Sequence, residues 1–487
     1  MESGSDDGEK TSKENRSLRI LLVNPRLKTW SPNIYPPLGL CYIAASLERE
    51  GHEVRILDMN ASRSEDAFVE MTCSTDITGI TGLITEYDEV VRLVKIAKHG
   101  SPAPVVLGGP LATTHPVELL TATGATAVVL GEGEQTIVEL VYAFKNKGEL
   151  AQVNGIAYMD KGKAVFSQPR ASGGVLDDIP HPARHLLDMG RYSTHHFKTF
   201  GIKVPKMKST TMISSRNCPY MCSFCSQLGG HKWRARSPED MVEEMLELRR
   251  DYGIRGIVFN DDTFTVNRKR VMDFCNRLEK ELPDVVWYCN GRVNLMDEGM
   301  IQAMAKSGCV GIAYGIESGN QAILDSVHKQ ITLEQVERIT ALTKKHGIHV
   351  TGYFMLGILG DTRKTIQETL DFAEKLDLDF YGFGITSPIP RTEMYAEAVR
   401  RGLVDKDKRL EDWSFHAQMN LTEDCSYEEL EALNEYAFRH FTIEKRWGKH
   451  YLLNPRLWWE GLRTLVFLAR KRNVSELLRK VVVLLKH

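Results

Sequence analysis

The sequence predicts an α/β protein made of two successive strand-and-helix repeats, a doubly wound parallel sheet followed by a six-stranded βα partial barrel. Three observations carry this expectation: short β-branched runs alternate with helical patterns from Leu18, a stretch rich in Pro and His interrupts them, and the alternation then resumes for longer from about residue 208. At 487 residues, 42% of them apolar, the chain can bury two or three cores of about 100–200 residues each.

Residues 1–17 are polar, charged and without apolar periodicity, which predicts a disordered leader. The runs LRILLV, LGLCYIAASLERE, HEVRILDM, DITGITGLI, DEVVRLVKIAKHG, APVVLGGP, ATAVVLGEGE and TIVELVYAFKNK follow. Strand, helix, strand at this spacing predicts a Rossmann-like parallel sheet with helices on both faces over residues 18–167, with a hairpin pattern, GIAYMDKGKAVF, at its end. Residues 168–207 read as a linker. TMISS, IRGIVFN, VVWYCN, VGIAYGIES, HVTGYFMLGI and FYGFGITSPI then supply six strands over 208–400, each but the last visibly followed by a helix, and 401–487 reads as a helical, basic tail. In such barrels the chemistry lies at the carboxyl ends of the strands.

A formal charge of −2 gives no global pull toward nucleic acid. Nine scattered cysteines and no apolar secretion signal predict a reducing, cytoplasmic setting, and no apolar run reaches the roughly 20 residues needed to span a bilayer.

Ligands of open α/β sheets sit beyond the carboxyl ends of the strands, where strand order reverses. The loops there are rich in Gly and Pro: Asn24-Pro25 after the first strand, Pro36-Pro37-Leu38-Gly39 before the first helix, Gly108-Gly109-Pro110 after the fourth strand and Gly131-Glu132-Gly133-Glu134 after the fifth. Any one of them reads equally well as a tight turn, but four in one domain point to a bulky ligand approached by backbone. His115, near the fourth strand end, reads as a turn-capping or surface residue.

Immediately after the first strand of the second repeat stand Cys218, Cys222 and Cys225. At this cysteine frequency the chance of such a triplet is about 0.003. Thiolates suit zinc or iron–sulfur, both of which take four protein ligands unless one position is kept open for chemistry. Three ligands imply an open site; a structural zinc completed by His231 is the alternative. Cys41, Cys73, Cys275, Cys289, Cys309 and Cys425 stand singly and read as small core residues.

A three-Cys loop with this spacing after the first strand of a six-stranded βα barrel resembles the radical S-adenosylmethionine (SAM) superfamily over about residues 208–400. The resemblance implies a 4Fe–4S cluster on the three cysteines, with SAM chelated to its open iron and cleaved reductively to a 5′-deoxyadenosyl radical. It places Phe224 beside the adenine, Asn260-Asp261-Asp262 at the methionyl amine, and the Gly315-to-Gly319 stretch, with Glu317 and Ser318, near the ribose and carboxylate. A solvated carboxylate is the ordinary alternative for Glu317. Arg292 would pair with the SAM carboxylate, or internally with Asp261 or Glu317. The fifth-strand turn, Ile358 to Thr362, and the sixth, Ser387 to Thr392, depart from the family pattern. That puts Arg391 within reach of the substrate, against the plainer reading of a rim arginine.

The first repeat resembles the cobalamin-binding domain fused ahead of such barrels in cobalamin-dependent methyltransferases and the anaerobic magnesium-protoporphyrin ester cyclase. By this resemblance Asn24, Pro37, Leu38, Gly39, Thr85, Gly108, Gly109, Pro110, Gly131, Glu132, Gly133 and Glu134 contact cobalamin. The Asp-x-His-x-x-Gly motif that supplies an axial histidine elsewhere is absent. The resemblance implies a corrin bound with its dimethylbenzimidazole displaced into the sheet and with no histidine from that loop on cobalt.

Residues 445–487 hold 11 Lys/Arg against two Asp/Glu. Helix starts at Asn454-Pro455 and Asn473, with Trp458 and Trp459, read as packing on the barrel or as peripheral attachment to an anionic membrane surface. The resemblance thus implies methylation of an unactivated carbon in a small molecule (a lipid, pigment or natural-product intermediate), with electrons from a flavodoxin or ferredoxin. The alternatives are cyclase-type radical chemistry and a non-catalytic iron–sulfur or corrinoid binding protein.

Overall fold

The computed structural model describes residues 17–27, 34–62, 64–171, 173–192, 197, 201–405, 410 and 419–445. Most of the expected leader and the basic tail beyond Lys445 lie outside the described residues.

The first unit runs β1 (Arg19–Asn24), α1 (Leu38–Arg49), β2 (Glu53–Asp58), α2 (Glu65–Cys73), β3 (Ile77–Ile80), α3 (Tyr87–Gly100), β4 (Val105–Leu107), α4 (Gly109–Thr114), α5 (Pro116–Thr123), β5 (Ala127–Val129), α6 (Glu134–Asn146), β6 (Ile156–Asp160) and β7 (Lys163–Phe166). The sheet order is β2-β1-β3-β4-β5-β6-β7, parallel through β5. The hairpin β6–β7 adds to this sheet antiparallel, so it closes one edge as a mixed sheet rather than an all-parallel one. Its strands are largely exposed, which suits an edge. Strand order reverses about β1, so the ends of β1 and β3 flank the crevice where such folds hold ligands. Alternate residues of β1 serve two cores, with Leu21 and Val23 on one face and Ile20 and Leu22 on the other.

The second unit begins with β8 (Lys208–Met212). Two two-residue strands, β9 (Ser215–Arg216) and β10 (Arg234–Ala235), bracket the cysteine loop. There follow α7 (Pro238–Tyr252), β11 (Ile254–Phe259), α8 (Arg268–Glu281), β12 (Val286–Gly291), α9 (Glu298–Lys306), β13 (Cys309–Glu317), α10 (Gln321–Ser326), α11 (Leu333–Lys345), β14 (His349–Leu356), α12 (Arg363–Lys375), β15 (Phe380–Ile385), α13 (Glu393–Arg400) and α14 (Tyr427–Ala437). The sheet is β15-β14-β13-β12-β11-β8, parallel throughout. The last strand also acquires a helix, α13, capped by Thr392, whose hydroxyl accepts from Tyr395 N. On the helix-facing side Phe259, Phe264, Phe274 and Trp287 pack with ring centroids 4.7–5.9 Å apart. The other side forms the lumen, whose lower end Phe197 and Ile202 plug; a Cβ on Gly256 or Gly311 would strike them at 2.5 and 2.8 Å. The mouth at the strand carboxyl ends is left for chemistry.

The segment between the two sheets is held by charge. Arg184, buried, pairs with Glu244 of α7 at 2.5 Å; Arg236 pairs with Glu244 and Asp240, and His181 bridges Asp240 and Glu247. Burying such ions is costly in desolvation, so removing any one partner, which leaves the others uncompensated, is strongly destabilising.

Candidate active site at the strand ends

The cysteine loop leaves β9 and returns at β10. Asn217, at φ 66°, turns it, and its amide donates to Gly229 O and Lys232 O, both at 3.1 Å. Gln227 donates to Tyr220 O at 2.6 Å. Ser223 N donates to Val327 O and Met394 N to Ser223 O, at 3.1 and 2.9 Å, so the loop is strung between the barrel's own rim segments. Cys218 is buried with its sulfur 3.5 Å from the Thr263 hydroxyl; Cys222 is half-buried and Cys225 exposed. Although the residue is exposed as a whole, partial burial of its sulfur, then the charge of Asp262 and of the other two thiols, pushes the Cys225 thiol up to about 11. Arg292 Nη1 donates to Cys222 Sγ at 3.7 Å, and Lys329 opposes the rise at Cys225. Three soft donors on one braced loop, with two cations beside them, fit an anionic iron–sulfur cluster, whose iron displaces thiol protons outright. Among the described residues no set of His, Cys, Asp and Glu gathers tightly enough to hold a single metal ion.

Around this loop the other candidate residues divide. Asp261 is buried and its carboxylate already accepts three bonds, from Ser214 N at 2.7 Å and the Ser214 and Ser215 hydroxyls at 2.6 Å. It braces the end of β8, while Asn260 and Asp262 on either side are exposed at the mouth. Burial and the Asp261 charge raise Asp262. Arg292 makes neither internal ion pair that its place suggests. Its guanidinium lies 3.7 Å from the Tyr220 ring centroid and donates to Lys329 O and, at 3.3 Å, to Asn294 Oδ1. Glu317 is no solvated carboxylate: it is buried, at φ 67°, and ion-paired to Lys329 at 2.6 Å. Ser318 Oγ sits 3.2 Å from Thr369 Oγ1, and Phe224 lies 5.9 Å from Lys329 Nζ. Left-handed backbone at Asn217, Glu317, His328, Gln330 and Arg391 gathers at this rim, where strain is tolerated only if the surroundings impose it. Lys329, Thr263 and Tyr220 are absent from the sequence-based candidates. Arg391 donates to Thr113 O of the first unit at 3.1 Å rather than reaching free into the mouth.

On the first sheet, a Cβ built on Gly39, Gly108 or Gly131 would meet nothing within 4 Å. Gly109, by contrast, has φ +84° and its Cβ would lie 2.3 Å from Thr81 Oγ1, so the turn after β4 requires glycine. Open space above one helix start and two strand-end turns is a cradle of the kind a flat macrocycle fills. Asn24 donates to Asp58 Oδ1 at 2.9 Å, Pro37 caps α1 with Leu38 buried beneath it, Thr85 lies in the 3-10 turn after β3, and Pro110 is the second residue of α4. His115 joins α4 to α5 as the cap of both, with Nδ1 2.8 Å from Thr114 Oγ1, as a turn-capping residue would. Glu132 and Glu134, expected at the cobalamin, have their carboxylates engaged by Arg216 and Arg234 of the second unit.

Comparison with known proteins follows this division. The model of the radical SAM superfamily matches residues 212–373, and that of the B12 binding domain matches 29–141. A protein named uncharacterized methyltransferase PH0819, from Pyrococcus horikoshii, is 36% identical over 80% of this chain and 84% of its own length. The anaerobic magnesium-protoporphyrin IX monomethyl ester cyclase of Rubrivivax gelatinosus is 31% identical over 78% and 70%. The solved structure of the cobalamin-dependent SAM radical enzyme OxsB with aqua-cobalamin bound shares the fold at TM-score 0.74, with 18% identity over 97% of this chain and 75% of that one. The chain belongs to the radical SAM enzymes that carry an amino-terminal B12-binding domain, and its cofactors are SAM, a 4Fe–4S cluster and cobalamin.

Proposed function

We propose that this enzyme methylates an unactivated carbon of a small molecule held in the barrel lumen. One observation carries the reading: the loop that ends β5 is ion-paired to the base of the cysteine loop, an arrangement that would hold the two proposed cofactor mouths side by side. Similarity to a methyltransferase matched over most of its length supports it.

In this reading Cys218, Cys222 and Cys225 hold the cluster, and Asn260, Asp262, Glu317, Ser318 and Phe224 bound the SAM site. Asn24, Thr85 and the glycine turns receive the corrin, with Pro37, Leu38 and Pro110 shaping the turns. When bound, the cluster supplies the electron that cleaves SAM and cobalamin carries the methyl group. The chain's own residues orient and exclude water. Lys329 neutralises Glu317, and Arg292 stiffens the loop through Tyr220. Tyr353 stands partly exposed in the lumen, hydrogen-bonded to Tyr288, and offers an aromatic face to a substrate. A one-electron donor of the flavodoxin or ferredoxin type completes the system. No helix among the described residues is long and apolar enough to cross a membrane; we place the enzyme in the cytoplasm, with contact at an anionic membrane surface through the basic tail.

The test is anaerobic reconstitution with iron, sulfide and cobalamin, then SAM and a strong reductant, with 5′-deoxyadenosine and S-adenosylhomocysteine quantified. Both products are expected, and both should be lost in Cys222→Ala. Deoxyadenosine without S-adenosylhomocysteine would overturn methyl transfer in favour of cyclase-type chemistry.

A further inference from the structure

The cysteine loop is tied at its base by one short ladder, with Arg234 opposite Arg216 and Ala235 opposite Ser215. Both arginines reach across to the first unit. Glu132 accepts from Arg216 Nη1 at 3.0 Å and from Arg234 Nη2, and Glu134 accepts from Arg216 Nη2 at 2.5 Å. The Arg216 guanidinium also lies 5.5 Å from the Tyr42 ring centroid, and the Tyr42 hydroxyl donates to Ile213 O at 3.4 Å. Two carboxylates thus meet two guanidiniums, with Glu132 bridging both sides of the loop's base.

This is no ordinary surface pair. Arg234 and Arg216 are 9% and 17% exposed, Glu132 and Glu134 28% and 14%, so salt screens them weakly and losing one partner leaves a charge poorly hydrated. The carboxylates also sit on a stiff turn. Gly131 has φ +72°, and a Cβ on Gly133 would lie 2.9 Å from Ile43 of α1. Movement of the ladder is therefore passed to the turn that ends β5, and the reverse.

We propose that Glu132 is a positioning residue that fixes the cluster loop against the cobalamin cradle and so sets the separation of the two cofactors; this rests on the reading of the site given above. Both carboxylate oxygens of Glu132 are already taken by arginines. Its effect falls on the one event that needs both mouths in register, methyl transfer from SAM, because a misplacement of about 1 Å can cost on the order of 100-fold. Cleavage of SAM needs only the cluster side.

The test uses the full chain with the near-isosteric Glu132→Gln, and Glu132→Asp as the charge-retaining control. In protein without cofactors, hydrogen exchange of residues 217–233 should rise about tenfold in Glu132→Gln and return partly in Glu132→Asp. After reconstitution, single-turnover S-adenosylhomocysteine should fall about 10- to 100-fold, and 5′-deoxyadenosine far less. Arg234→Gln removes only one of the two contacts of Glu132 and should have the smaller effect, and the double variant should be no worse than Glu132→Gln alone, since the contact made by Arg234 is already lost there. Unchanged exchange, faster exchange with an unchanged product ratio, or a parallel fall of both products and iron content would each overturn the proposal. Wild-type enzyme that forms no S-adenosylhomocysteine would defeat the methyl-transfer reading instead, while the exchange data would still decide the clamp.

Discussion

The two strand-end faces prepare for their ligands by opposite means. On the first sheet the work falls to backbone: open space above Gly39 at the start of α1 and above the turns at Gly108 and Gly131, and one turn at Gly109 that no side chain can enter. On the second it falls to side chains: three thiols, the Glu317–Lys329 pair, and an arginine laid on Tyr220. A large macrocycle is bound through shape and area, so its site needs absence of side chains. A cluster is bound through a few strong bonds, so its site needs particular donors. Substitutions should therefore fail differently on the two faces.

The sharpest way to break the comparison is at Gly109. Gly109→Val puts a β-branched residue at φ +84° and a Cβ against Thr81, so cobalamin retained after gel filtration should fall at least about tenfold while iron loading persists. Cobalamin retention at the wild-type level would show that the cradle is not set by backbone. On the other face, Lys329→Met leaves Glu317 buried without its cation. Unfolding free energy should drop by about 3 kcal/mol, read by urea denaturation, and Glu317→Gln in the same chain should restore much of it. No rescue would mean that the pair is not coupled.

A smaller effect separates both faces from the segment that joins them. Burial would lower His181, but bonds to Asp240 and Glu247, with Glu244 close by and Arg236 opposing, lift it to about 9. A group raised in the folded state stabilises fully below its unfolded value near 6.5, and that contribution is lost as pH rises through about 9. Tm should therefore decline modestly between pH 6.5 and 9 in the wild type, and less in His181→Asn. Parallel curves would remove His181 from the account.

What could be read from the residues follows the same division. The cysteines were legible because three thiols at fixed offsets have no structural reason to meet. The strand-and-helix alternation was legible, but not where the hairpin would pair, since edge strands carry too few buried positions to declare a face. Lys329 was invisible because a single lysine in a polar turn looks like any other; only the fold brings it to Glu317. Asp261 looked like a ligand contact because a strand-end carboxylate signals nothing of the serines that close on it. Glu132 and Glu134 were assigned to cobalamin through the family resemblance of their loop, and the arginines they pair with lie more than 80 residues away.

The most direct test of the central claim is metal analysis of one anaerobically reconstituted chain together with electron paramagnetic resonance of its reduced state, with and without SAM. About four irons and one cobalt per chain, with a cluster signal that changes on adding SAM, are expected of an open cluster beside a filled cobalamin cradle. Zinc in place of iron, or a cluster signal indifferent to SAM, would contradict it.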